Sequence, residues 1–180
     1  MSCNFWQTIP YYIWSRLFMK NFHNLFTQYA GDIYRFALFL CGNEDEAKDI
    51  TAETFARVLT GKEPLINATV KGYLLTIARN LFLESKRRQK RFTELTPEIP
   101  DLDPHLENVV SFKTDLEAVR LYLQTFPEVD RAALLLRADG VSYDEIANSL
   151  NISLSSAKVK VHRLRLKLVE WRTNREETKS

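Results

Sequence analysis

The sequence predicts an all-α chain of two small helical domains, joined by an acidic proline-containing linker, with a helix-turn-helix in the C-terminal one. Three observations carry this expectation. Apolar residues recur at three- and four-residue spacing, with no sustained period-two run. The chain has 5 Gly and 6 Pro, too few for a turn-rich all-β sandwich. Three of those prolines, Pro97, Pro100 and Pro104, fall in one acidic stretch near the middle. A length of 180 residues suits one medium domain or two small ones, and 45% apolar with 27% charged residues is ordinary globular composition. The cysteines, Cys3 and Cys41, exclude a disulfide framework. His23, His105 and His162 are far apart, so neither a metal nor another cofactor is expected. No apolar run approaches a membrane span.

Residues 1–21 are aromatic, with Phe5, Trp6, Tyr11, Tyr12, Trp14 and Phe18. They lack the basic start and small-residue cleavage site of a secretory signal. They read as a dispensable extension, with Met19 an alternative start; a short partner-binding helix is the second reading. The first helix follows, with Phe22, Leu25, Phe26, Tyr29, Ile33, Phe36, Ala37 and Leu40 inward and Gly42 at its end. Asn43 to Glu46 has capping-box spacing and opens a second helix to about Leu59. Its inner face holds Ala47, Ile50, Thr54, Phe55 and Val58, and its outer face is acidic. Gly61, Pro64 and Asn67 mark a loop. A third helix places Val70, Leu74, Ile77, Ala78, Leu81 and Phe82 inward and runs into a basic block ending near residue 92.

Prolines lack a backbone donor and disfavour helix at the residue before them. Residues 93–110 therefore read as a linker, and residues 111–172 as the second domain with a tail at 173–180. Phe112, Leu116, Val119, Tyr122, Leu123 and Phe126 are expected inward, then Ala132, Ala133, Leu135 and Leu136 after Pro127, up to Gly140. Ser142 to Glu145 is a capping box opening a short helix with Ile146, Ala147 and Leu150. Asn151 is the expected left-handed turn residue. Ser153 caps a last helix in which Leu154, Ala157, Val161, Leu164 and Leu168 form one buried stripe.

Charge is unevenly spread although the net charge is +2. Arg79, Lys86, Arg87, Arg88, Lys90 and Arg91 oppose a single acid, Glu84. Glu94, Glu98, Asp101, Asp103 and Glu107 follow without a Lys or Arg among them. Lys158, Lys160, Arg163, Arg165, Lys167, Arg172 and Arg175 then oppose Glu170. Two basic blocks on helices are the electrostatic footprint of a nucleic-acid binder. On the last helix the face opposite the apolar stripe shows Ser155, Ser156, Lys158, Val159, Lys160, His162 and Arg163. Small hydroxyls there allow close approach to a major groove, and cations meet phosphates or guanine edges. The competing reading is a trihelical unit with a solvated basic face.

Taken together, the arrangement resembles an extracytoplasmic-function sigma factor of bacterial RNA polymerase. DEAKDITAETFARVL (45–59) resembles the family's polymerase-binding helix. GYLLTIARNLFLESKRRQKR (72–91) resembles its promoter-melting helix, and GVSYDEIANSLNISLSSAKVKVHRLRLKL (140–168) its helix-turn-helix. The resemblance spans residues 22–172, in the family's order and spacing. It implies that 22–92 bind polymerase and melt the minus-ten element, and that 111–172 bind the minus-thirty-five element.

Carried over by position, Asp49, Glu53 and Thr54 match the polymerase-binding motif, with Asp45 and Glu46 adding acids on the same helix. Phe55 reads as core, and Ala52 departs from the family's common glutamine. Asn80 is implied as a base reader, Arg79, Lys86, Arg87 and Arg88 as phosphate contacts, and Tyr73 as either a base-stacking ring or a core ring. Lys158, Lys160, His162 and Arg163 match the minus-thirty-five reader, with Ser155 and Ser156 on the same face; Val159 departs from the small polar residue common there and is placed for a thymine methyl. Implied partners are core RNA polymerase, promoter DNA and an anti-sigma protein, without membrane insertion. The implied location is cytoplasmic, at the nucleoid or held at the membrane by the anti-sigma protein. No catalytic residue is expected. Two alternatives stand beside this: a polymerase-independent helix-turn-helix regulator, and a nucleic-acid enzyme using the acids of 44–53. The latter lacks a second carboxylate group at useful spacing.

Overall fold

The structure is a computed structural model and describes residues 11–60, 69–95 and 115–177, with side chains for 22–60, 69–91, 115–175 and Glu177. The described residues form α1 (Tyr11–Cys41), α2 (Glu44–Thr60), α3 (Val70–Leu95), α4 (Asp115–Gln124), α5 (Glu128–Ala138), α6 (Tyr143–Leu150) and α7 (Leu154–Glu177). No strand occurs among them. The loop at 61–68 and most of the expected linker lie outside the described residues.

Helix α1 begins earlier than the pattern at Phe22 indicated. It runs unbroken through Met19, so residue 21 is not an element boundary. Pro10 precedes its first residue, and neither Gly nor Pro interrupts the chain until Gly31. The helix ends at Gly42, whose φ of 81° is left-handed and whose N–H donates to the Leu38 carbonyl at 2.9 Å. A Cβ there would also meet Gln124 Cδ at 2.9 Å, so α4 packs where only glycine leaves room. Asn43 Oδ1 then accepts from the Asp45 and Glu46 amides, each at 2.9 Å, capping α2. Helix α3 extends to Leu95, past the expected end, and stops just before the Thr96-Pro97 pair in the sequence.

One apolar cluster runs through both halves of the chain. It joins Ile33, Phe36 and Leu40 of α1, Phe55 of α2 and Leu74 and Phe82 of α3 to Leu136 of α5, Ile146 of α6 and Val161 of α7. Buried polar groups beside it bond locally, with Arg131 Nε alone among these left without a partner. The hydroxyls of Thr51 and Thr54 donate to the Ala47 and Ile50 carbonyls, both at 2.7 Å. Buried Arg131 donates to the Phe126 and Gln124 carbonyls at 3.0 and 3.3 Å, serving carbonyls at the end of α4. Four residues expected inward are exposed: Leu116 at 70%, Val70 at 45%, Phe26 at 44% and Leu154 at 38%. Leu116 lines an open groove, Phe26 lies against Phe55 at the rim with ring centroids 4.8 Å apart, and Leu154 is the first residue of its helix.

Ion pairs tie the helices together. Arg57 grips Glu84 through two bonds of 2.7 and 3.1 Å, linking α2 to α3. Lys71 reaches both Asp32, at 2.7 Å, and Asp139, at 2.8 Å, linking α1, α3 and α5. The hydrogen bond from Arg57 holds the Glu84 carboxyl below its ordinary range, and that from Lys71 does the same for Asp32. Both carboxyls are easier to ionise folded than unfolded. Their stabilisation is therefore complete above the ordinary carboxylate range near about pH 4 and is lost as pH falls through the lowered folded values. Thermal unfolding followed by circular dichroism should show a drop in Tm from pH 6 to pH 3. Glu84→Gln should lower Tm at pH 6 and flatten that drop; an unchanged pH profile would remove Glu84 from the account.

Candidate nucleic-acid interface

The helix-turn-helix is built by three local devices. Ser142 Oγ accepts from the Glu145 N–H at 3.2 Å, and Glu145 Oε2 accepts from the Ser142 N–H at 3.1 Å. Both halves of the capping box are thus made. Asn151 adopts φ 52° and ψ 49°, the one left-handed non-glycine among the described residues, and its turn closes with Ile152 N–H on the Ala147 carbonyl at 3.0 Å. Ser153 Oγ then accepts from the Ser156 N–H at 3.1 Å and starts α7. Ala157, Val161 and Leu164 are buried against α5 and α6. That leaves Ser155, Lys158, Val159, His162 and Arg163 exposed on the other side. Val159, at 52% exposure, is an apolar side chain with a free face amid cations.

Two residues expected on this face are less available. Ser156 is half-buried. Lys160 turns toward α5 and pairs with Asp130, so its charge is neutralised within the protein. The same helix faces a groove of about 450 Å³ beside α4, floored by Leu116, Val119, Leu168 and Val169 and rimmed by Arg165, Arg172 and Arg175.

A second basic surface lies on the outer end of α3. Lys86, Arg87 and Arg88 are exposed, and Lys86 Nζ sits 5.6 Å from the Phe82 ring centroid. Arg79 is two turns away and does not join them. It is half-buried, donates to the Ser149 carbonyl of α6 at 2.8 Å and lies 3.9 Å from Glu128. Burial lowers its pKa. Tyr73 is half-buried against the apolar cluster, which favours the core reading of its ring in this arrangement. Asn80 is half-buried on α3.

On α2, Asp45, Asp49 and Glu53 are exposed at four-residue spacing and form one acidic strip. Lys48 leans on Asp45 at 3.0 Å, and Arg57 on Glu53 at 3.3 Å. Glu46 is half-buried, with Oε1 cut off from solvent. Thr54 is fully buried, so its side chain belongs to the core rather than to the strip.

Polar links between the halves had no signature in the sequence. Besides its own cap, Glu145 accepts through Oε1 from the Thr69 N–H at 2.9 Å, at the start of α3. Thr76 and Ser149 hydroxyls meet at 3.2 Å, and Arg79 reaches the Ser149 carbonyl. Capping-box spacing identified Glu145 for its local role, but a partner 76 residues away leaves no local pattern. Among the described residues no group of His, Cys, Asp and Glu is placed to hold a metal ion, and no helix is long and apolar enough to cross a membrane.

Comparison with known proteins matches two segments of the chain to known families. Residues 25–92 match the family described as Sigma-70 region 2, and residues 116–168 match Sigma-70, region 4. The chain is 35% identical over 162 residues to the ECF RNA polymerase sigma factor SigE of Mycolicibacterium smegmatis, covering 85% of this chain and 62% of that protein. It is 30% identical over 141 residues to the ECF RNA polymerase sigma factor EcfG of Rhodopseudomonas palustris, covering 74% of this chain and 75% of that one. The fold matches the sigma factor RpoE of Bartonella quintana, solved in complex with the anti-sigma factor NepR, with a TM-score of 0.69 and 23% identity. That match covers 84% of this chain and 96% of the other.

Proposed function

Since the chain belongs to the extracytoplasmic-function subfamily of RNA polymerase sigma factors, we propose that it directs promoter-specific initiation by binding core polymerase and two promoter elements. The observation that carries this is the presence, in one chain, of two exposed basic surfaces on α3 and α7 and an acidic strip on α2. A regulator acting alone has use for the α7 surface but not for the other two.

The roles follow from the chemistry of each surface. The carboxylates of Asp45, Asp49 and Glu53 recruit a basic docking surface on the polymerase; such long-range attraction chiefly speeds and orients encounter. On α7, His162, Arg163 and Lys158 meet base edges or phosphates, and Val159 meets a thymine methyl. The small Ser155 at the helix start lets the backbone come close. On α3, Lys86, Arg87 and Arg88 hold phosphates of the melted minus-ten strand, and Asn80 offers an amide donor and acceptor to an unstacked base. Capturing such bases offsets a few kcal/mol of lost stacking for each. Sigma factors are initiation factors, and no covalent chemistry is assigned to this chain. An anti-sigma protein is the further partner proposed, on the strength of the complex in which the Bartonella structure was solved.

Run-off transcription tests the reading. Purified protein with bacterial core polymerase and promoter fragments from its own genome should give discrete transcripts that depend on the protein. Tight duplex binding by the protein alone, with no core binding and no transcript, would favour the independent regulator instead.

A further inference from the structure

One cation of α7 is withheld from its outer face. Lys158, His162 and Arg163 are exposed there, but Lys160 bends back and its ammonium pairs with the carboxylate of Asp130 on α5. The two side chains keep only 27% and 12% of their surface in water. At about 100° per residue, position 160 lies beside Arg163 and one turn after Ser156, on the flank of the reading face rather than behind it. A flexible four-carbon stem rooted there can swing its charge toward a duplex. Asp130 stands in the first turn of α5, where the helix N-terminus favours a carboxylate. Stability alone is a weak reason for the pair. Taking both charges partly out of water offsets much of their attraction, and an apolar pair would join α5 to α7 as well. What a carboxylate does there that an apolar side chain cannot is hold the ammonium.

We propose that Asp130 is a charge mask: by holding Lys160 it removes one phosphate contact from α7 and lowers the attraction of this helix to every duplex. Lys158, Val159, His162 and Arg163 are then left to decide where α7 settles. Sequence-independent attraction is set by the number of phosphates neutralised, each adding about 0.9 to the slope of log affinity against log salt on duplex DNA. One cation fewer therefore costs roughly eightfold in affinity at 0.1 M salt and about twofold at 0.5 M. Phosphates carry no sequence, so the cost is the same on right and wrong sites. A masked helix leaves wrong sites sooner while ranking sites as before. The inference rests on the proposed role of α7 as reader of the duplex minus-thirty-five element; the pairing of Lys160 with Asp130 does not.

Two measurements test it. On the unaltered chain, limiting acetic anhydride followed by mass spectrometry compares the reactivity of lysine amines. Lys160 should react several-fold more slowly than Lys158 in the free protein, and equal rates overturn the mask. With core polymerase and a duplex minus-thirty-five fragment from a promoter found by run-off transcription, Lys158 should slow further and Lys160 should not. Slowing of Lys160 by DNA as strong as that of Lys158 overturns the mask.

The second measurement is the salt dependence of duplex binding by polymerase-bound Asp130→Asn, which keeps the side-chain volume and removes the charge. Its slope should steepen by about 0.9, and the roughly eightfold gain at 0.1 M salt should appear alike on promoter and random duplexes. Adding Lys160→Gln should return the slope to that of the unaltered chain, and Asp130→Glu should leave it there. A pair that merely fastens α5 to α7 would give a lower Tm or weaker binding at unchanged slope, and that result overturns the proposal. Should circular dichroism show Asp130→Asn unfolded, the acetylation of the unaltered chain decides. An unaltered assembly that binds no duplex overturns the sigma-factor reading and the DNA side of the mask with it, while acetylation of the free chain still decides whether Asp130 holds Lys160.

Discussion

Replacing Lys86, Arg87 and Arg88 together by alanine is expected to weaken capture of single-stranded minus-ten DNA by roughly 100-fold at 0.1 M salt. All three are exposed on one stretch of α3, and among the described residues no acid sits beside them on that stretch after Glu84. On single strands each neutralised phosphate contributes about 0.7 to the slope of log affinity against log salt, so three contribute about 2. The same arithmetic leaves only about a fourfold loss at 0.5 M salt. Salt titration of oligonucleotide binding by the polymerase-bound protein checks both numbers. A loss that is the same at both salt concentrations would mean that these residues act through packing or base contact rather than through phosphate charge. Because phosphates carry no sequence, the loss should be uniform across minus-ten sequences, whereas changing Asn80 should alter their ranking.

Phe36→Ala is expected to cost about 3–5 kcal/mol of stability. The ring is 1% exposed and lies in the cluster shared by α1, α2, α3 and α5. Against a total of about 5–15 kcal/mol this is a large part of the whole. At about 2–4 °C per kcal/mol for a chain of this size, Tm should fall by roughly 6–20 °C. Urea unfolding should show a lower midpoint at unchanged slope. A loss under 1 kcal/mol would mean that the helices close over the vacancy.

Local grammar was readable and distance was not. Gly42, Gly140, Ser142 with Glu145, Asn151 and Ser153 each carry their conformational reason in themselves and one or two neighbours, and the structure has them as caps and turns. The exposed faces of α2 and α7 followed from the same periodicity. What failed were edges and long-range contacts. Periodicity placed Leu116 and Phe26 inward because it knows the side of a helix but not whether another helix covers it. The mid-helix position of Met19 was missed because an aromatic run without strong period looked like an extension. Thr54 matched a binding motif by position, yet its hydroxyl is spent on the carbonyl one turn back and its side chain is sealed. Lys160 and Arg79 matched as DNA contacts, yet Asp130 and Ser149 hold them, and neither partner is near in sequence.

The hydrogen bond from the Thr69 amide to Glu145 has one more use. Its donor and acceptor belong to opposite halves, so this proton is sheltered only while they touch. Its replacement by deuterium is then a clock for separation, set apart from the unfolding that governs amides deep in α3 and α7. Every tenfold slowing at Thr69 corresponds to about 1.4 kcal/mol in favour of contact. The chain thus carries, in one backbone amide, a reporter of how firmly its two halves hold together, readable without a label or a partner.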